Sequence, residues 1–144
     1  MSKKLVIMRG VPGSGKSTVA KEMATKCIGA GKTAVIASAD DYFIDSLTGS
    51  YIFDAKKLPS AHLYCKAKAL GAMEAKADMV IIDNTNMRHW DFDPYVKMAK
   101  QYRYEVEEVI VGSFDKQSLE TYVARNVHGC PKDTIEKMAA RFEK

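Results

Sequence analysis

The chain has 144 residues, 47% of them hydrophobic and 28% charged, with a net charge of +4. That length supports one full core and is short for two, so a single domain spanning 1–144 is expected. The sequence has no C-x-x-C pair, no His/Cys cluster, no Lys/Arg block and no apolar run of membrane-spanning length; this counts against structural zinc and a membrane span, and leaves a nucleic-acid partner permitted but not argued for by charge.

Cys27, Cys65 and Cys130 are far apart and odd in number, so reduced thiols in a cytoplasmic setting are expected rather than a disulfide framework. Met1 to Lys4 runs straight into the first predicted strand, so no signal peptide is expected. That strand is the apolar run Leu5-Val6-Ile7-Met8, as a buried parallel strand requires.

Gly10-Val11-Pro12-Gly13-Ser14-Gly15-Lys16-Ser17 follows and fits G-x-x-x-x-G-K-[ST] at every specified position. Chance would place that pattern in roughly one such chain in a few hundred. Val19, Met23 and Cys27 then share a helical row beside Ala20, Ala24 and Ile28, so a helix begins inside the loop. The N–H groups of Gly13 to Lys16 can wrap a polyphosphate with the positive end of the helix dipole behind it. The expected nucleotide-binding residues are Gly10, Gly13, Ser14, Gly15, Lys16, Ser17 and Thr18. Lys16 would reach the outer phosphates, and the Ser17 hydroxyl would bind Mg²⁺.

The helix should stop at Gly29-Ala30-Gly31, before a second strand over Thr33–Ser38. Asp40 and Asp41 come directly after it, where parallel strands point at the ligand crevice. At least one is expected to be catalytic, the other reading being a cap on the next turn. A loop from Phe43 to Asp54 follows; Tyr42, Phe43, Tyr51 and Phe53 either pin it to the body or form a stacking platform for a base. Pro59 then opens a long helix whose apolar face is expected at Leu63, Ala67, Leu70 and Met73, with His62 a packing or capping residue.

Met79-Val80-Ile81-Ile82-Asp83 is a third strand ending in an acid, the Walker B arrangement that delivers a carboxylate beside the phosphate loop and its Mg²⁺. Asn84-Thr85-Asn86 makes a polar turn at the same edge. Trp90, Phe92, Tyr95, Val96 and Ala99 give a helical apolar face, with Trp90 expected in the core. Glu105–Val111 is a fourth strand. Asp115 can cap a helix carrying Leu119, Tyr122 and Val123, and Pro131 opens a last one with Ile135, Met138 and Phe142 on one face. The glycine and proline between them, with Arg125 at the hinge, predict a small helical lid around 125–131; a plain helical hairpin with Arg125 in a surface ion pair is the alternative.

Taken in order, the pattern from Gly10 to Thr18, Asp40-Asp41-Tyr42, Asp83-Asn84-Thr85-Asn86 and Arg125-Asn126 before a proline-initiated helix resembles the small P-loop polynucleotide 5′-kinases. The nearest likeness is to the kinase module of the Nedd-type ubiquitin-ligase-binding proteins, and it covers almost the entire chain. The resemblance implies a three-layer α/β P-loop fold, with a parallel sheet, helices on both faces and a lid. It also implies transfer of the ATP γ-phosphate to a hydroxyl, most nearly a DNA or RNA 5′-hydroxyl, with Asp40 taking the proton as in the bacteriophage enzymes. Lys16, Asp40 and Arg125 are then the expected catalytic residues, with Ser17 and Asp83 at the metal. Two departures stand out: Phe43 replaces an arginine of the phage enzymes, and Asn84 occupies the position of their later acid, so that the carboxylate moves to Asp83. ATP is favoured over GTP because no N-K-x-D motif occurs.

Overall fold

The computed structural model describes residues 3–125 and 131–144. Its strands are β1 (Lys4–Arg9), β2 (Ala34–Ala37), β3 (Met79–Asp83) and β4 (Glu105–Ile110), all parallel, in the order β2-β3-β1-β4. Helices α1 (Lys16–Gly29), α2 (Leu58–Glu74) and α3 (His89–Tyr102) connect them, and α4 (Lys116–Arg125) and α5 (Lys132–Ala140) follow.

The alternation of a strand's side chains sorts these helices into layers. Leu5, Ile7, Val80 and Ile82 face α2 and α3, packing with Ala61, Cys65, Ala69, Phe92, Tyr95 and Ala99. Val6, Met8 and Ile81 face the other way, onto Ala20 and Ala24 of α1. Covered on both sides, Leu5 to Met8 are fully buried, which is why that run is apolar without alternation. The expected α/β architecture is the one observed. From β1 the chain crosses to β2 on one side, and from β3 it crosses to β4 on the other. The carboxyl ends of β1 and β3 therefore flank a topological switch point, where open α/β sheets bind ligands.

Two expected core faces are corrected. Leu63 is 68% exposed and Ala67 is exposed; α2 buries Met73 as expected, but with Ala61, Cys65, Ala69 and Ala72. Small side chains let α2 lie close to the sheet, whereas hydrophobicity alone picks the larger Leu63. Trp90 is 66% exposed. It sits two positions before Phe92, and on a helix that turns it away from the inward row Phe92, Tyr95 and Ala99. His62 is exposed rather than packed.

At the sheet edge, α4 and α5 close a third cluster, in which Leu119, Tyr122 and Ile135 pack on Val11 and Met87. Asp115 caps α4 as expected: Oδ2 accepts from the Ser118 N–H at 3.0 Å, and Oδ1 accepts from the Ser113 and Ser118 hydroxyls at 2.6 and 2.7 Å. The side-chain hydrogen bonds from Ser113 and Ser118, then the Ser118 N–H, lower its carboxyl from 3.8 to about 2. A depressed carboxyl stabilises the fold above its unfolded pKa and loses that contribution as pH falls through the folded one. The melting-temperature gap between the native chain and Asp115→Ala is accordingly expected to be constant near neutrality and to close between about pH 4 and pH 2. A gap that persists unchanged at pH 2 would contradict the cap.

Arg9, the charged residue that ends β1, is fully buried. Its Nε donates to the Asn86 carbonyl at 2.8 Å and its Nη2 to the carbonyls of Met87 and Glu143, while Nη1 meets Glu108 Oε1 at 3.0 Å. The guanidinium also lies 4.9 and 4.5 Å from the rings of Phe92 and Phe142. One side chain thus ties β1 to the turn after β3 and to the C-terminal segment. Arg9→Met leaves several buried carbonyls without a donor and is expected to cost about 3 kcal/mol or more, read as a drop of about 10 °C in thermal unfolding.

No helix among the described residues is long and apolar enough to cross a membrane.

Candidate functional site

β1 leads into Gly10, whose N–H donates to the Thr85 carbonyl at 3.1 Å and so joins the ends of the two strands at the switch point. The chain then turns through Val11–Ser14, with the Ser14 N–H donating to the Val11 carbonyl at 3.2 Å. Gly13 has φ +85, and a Cβ there would come 2.1 Å from the Tyr122 carbonyl oxygen, so glycine is required on two counts. Gly15 caps α1 at φ +97 and has open space where a side chain would be. No side chain caps α1 and no acid lies in its first turn, so the N–H groups of Lys16, Ser17 and Thr18 face that opening with the helix dipole behind them. Ser14 Oγ is buried with no hydrogen-bond partner among the described residues. The loop is an anion cradle.

β3 brings Asp83 to it. Ser17 Oγ donates to Asp83 Oδ2 at 2.8 Å, and the Lys16 ammonium lies 3.4 Å from Oδ1. Lys16 and Asp83 are both buried, whereas Ser17 is exposed. A hydroxyl and a carboxylate are hard oxygen donors suited to Mg²⁺. Among the described residues no group of three or more His, Cys, Asp or Glu could hold a metal ion. Mg²⁺ uses one or two carboxylates and takes the rest of its shell from phosphates and water.

Asp40 comes from the end of β2. Ser38 caps a 3-10 helix over Ala39–Phe43, its Oγ accepting from the Asp40 N–H at 3.2 Å. The cap is therefore Ser38, and the carboxylate of Asp40 is used elsewhere: Oδ1 accepts from Tyr51 Oη at 3.1 Å. Asp41 pairs with Lys68 at 3.8 Å on the partly exposed side. Phe43 is buried and touches the rings of Tyr42, Tyr51 and Phe53, so these aromatics pin the loop, while Tyr42 and Phe53 remain exposed.

Sequence reasoning read Asn84 and Asn86 as turn residues; both are latches. Asn84 Oδ1 accepts from the Ala39 N–H at 2.8 Å, holding the Asp40 helix against the strand that carries Asp83. Asn86, at φ 48, donates to the Met8 carbonyl at 2.7 Å. Asn84 Nδ2 also donates to Cys65 Sγ at 3.5 Å; burial pushes the Cys65 thiol up, so it stays neutral and supplies no nucleophile.

Tyr122 was expected only as a core residue, yet it reaches the phosphate loop. Its backbone carbonyl abuts Gly13, and its Oη accepts from the Ser113 N–H at 3.0 Å. The Arg125 guanidinium lies over the Tyr122 ring, 5.2 Å from its centroid, and Arg125 itself is exposed. The hinge of the expected lid, Asn126 to Cys130, lies outside the described residues.

Comparison with known proteins agrees with this geometry. A profile of the AAA domain family (AAA_33) matches residues 5–144. The chain belongs to that family. It is a P-loop kinase-like domain. It is 36% identical to human NEDD4-binding protein 2 over 140 residues, spanning 97% of this chain and 8% of that protein. Among solved structures, it resembles a chain of the Pnkp1/Rnl/Hen1 RNA repair complex with a TM-score of 0.69 and 19% identity, covering 97% of this chain and 44% of that one. It also resembles the Mycobacterium tuberculosis APS kinase CysC in complex with AMPPNP and APS, with a TM-score of 0.59 and 19% identity over 85% of this chain and 69% of the other. These likenesses show the fold; what those proteins act on belongs to them.

Proposed function

We propose that this chain is an ATP-dependent kinase that transfers the γ-phosphate to the 5′-hydroxyl of a polynucleotide. The observation that carries the reading is the assembly of Lys16, Ser17 and Asp83 at the switch point, with the 3-10 helix that carries Asp40 tied at Ala39 to Asn84, the residue after Asp83. The phosphate loop and the start of α1 hold the polyphosphate, and Lys16 neutralises charge on its outer oxygens. Ser17 and Asp83 would hold Mg²⁺, which when bound neutralises charge between the two outer phosphates. Asp40 orients the acceptor hydroxyl and takes its proton, a role for which Tyr51 Oη steadies the carboxylate. Support for a nucleic-acid acceptor comes from the likeness to the RNA repair complex and from the order of motifs shared with polynucleotide 5′-kinases. A reduced cytoplasmic setting suits Cys27 and Cys65, which are free thiols.

Arg125 stabilises the transferring phosphate in this reading. Arg125→Ala is expected to lower turnover at least about tenfold. As a mere surface contact it would cost under about 1 kcal/mol of stability and leave the rate alone. Thermal unfolding and rate, measured on one preparation, separate the two.

The acceptor is tested by supplying γ-labelled ATP with 5′-hydroxyl RNA, 5′-hydroxyl DNA, nucleosides and sugars. Label on the polynucleotides is the expected result. The likeness to APS kinase favours a small acceptor as the second reading, and label on the small molecules alone would establish it.

A further inference from the structure

The acceptor side of the site carries a surface that the phosphate machinery does not use. From Ala55 to Met73 the chain holds Lys56, Lys57, Lys66 and Lys68 and no acidic residue. Lys57, the residue that leads into α2, and Tyr64 and Lys68 on it are separated by seven and four positions, which places them along one side of the helix over about 16 Å. At one end Lys68 stands 3.8 Å from Asp41, the neighbour of Asp40. In the middle the Tyr64 ring meets that of Tyr42, with centroids 5.9 Å apart, and both rings are exposed. Tyr42 leans edge-on against buried Phe43, at 5.5 Å, so the exposed rings rest on a fixed base.

Exposed rings flanked by lysines match the chemistry of single-stranded nucleic acid. Unpaired bases stack on the rings, and phosphates follow the ammonium groups. An apolar protein partner would instead have to desolvate the ammonium groups of Lys57 and Lys68. A blunt duplex end offers only the outer face of its terminal base pair, whereas a single strand offers successive bases to Tyr42 and Tyr64.

We propose that the Lys57–Tyr64–Lys68 side of α2, together with Tyr42, binds single-stranded nucleic acid and leads its first nucleotides to Asp40. The inference deepens the polynucleotide-kinase reading and rests on it for the identity of the acceptor.

The test measures binding of a short 5′-hydroxyl single strand, labelled at its 3′ end, by fluorescence anisotropy at several salt concentrations. A blunt duplex of the same sequence serves for comparison, and ATP binding reports on the fold. The unaltered chain should prefer the single strand at least about tenfold, since successive unpaired bases are available only there. Lys57→Gln with Lys68→Gln should reduce the slope of log affinity against log salt by about 1.4, or about 0.7 for each phosphate contact. Tyr42→Ala with Tyr64→Ala should weaken single-strand binding by about tenfold or more, with ATP binding retained. If both double variants bind the strand as the unaltered chain does, the platform is overturned and the kinase reading stands. If the ATP-binding chain takes up neither nucleic acid, the platform and the polynucleotide acceptor fall together. Binding that depends on these residues, without phosphate transfer to the strand, keeps the platform and removes the kinase reading.

Discussion

Asp40→Asn is expected to lower phosphate transfer by about 10²–10⁴ while leaving ATP binding in place. The amide has nearly the shape of the carboxylate and can still meet Tyr51 Oη, which bonds Asp40 Oδ1 at 3.1 Å, so the 3-10 helix has no reason to move. The phosphates are held elsewhere, by the loop and Lys16. What disappears is the group that accepts the proton from the acceptor hydroxyl. Asp41→Asn is the control, because that carboxylate is engaged with Lys68 at 3.8 Å, and its loss should cost much less. Greater sensitivity at Asp41 would keep the crevice and change the base. Unchanged transfer in both variants would leave no carboxylate base and favour slow ATP hydrolysis by an adaptor.

Lys16→Ala acts on the other half of the reaction. Losing one preorganised donor to developing charge costs about 10²–10³ in rate, and a lysine on the outer phosphates should cost at least that. The buried ammonium also stands 3.4 Å from Asp83 Oδ1, so among the described residues the substitution leaves that carboxylate with the Ser17 hydroxyl at 2.8 Å. ATP affinity should fall with the rate. Near-normal turnover in a folded Lys16→Ala chain is incompatible with the phosphate-loop assignment.

Much of this site was legible in the sequence because its parts are local. The loop is one contiguous motif, and the strands on either side of it are apolar runs ending where the chemistry begins, at Gly10 and Asp83. The spacing of a strand fixes which residue reaches the crevice, so Asp83 beside Lys16 and Ser17 could be anticipated. Contacts between distant segments could not. Asn84 binds Ala39 across 45 positions, and nothing in a polar turn announces that bond. The approach of Tyr122 to Gly13 depends on how α4 settles at the sheet edge, which a helical apolar row leaves open. Arg9 did carry a signal, a charge at the end of a buried strand directly before the loop, but its partners come from Asn86, Met87 and Glu143. The face of α2 was partly misplaced for a different reason: apart from Met73, the sheet selected small residues and left Leu63 outside.

The central claim is that the γ-phosphate goes to a hydroxyl rather than to water. The most direct measurement follows the fate of that phosphate, as label on an oligonucleotide and as free inorganic phosphate, with a 5′-hydroxyl strand and with the same strand already 5′-phosphorylated. The account expects label to accumulate on the 5′-hydroxyl strand, and ATP consumption to rise with that strand and not with the phosphorylated one. Steady release of inorganic phosphate, indifferent to either strand and with no label transferred, would contradict it.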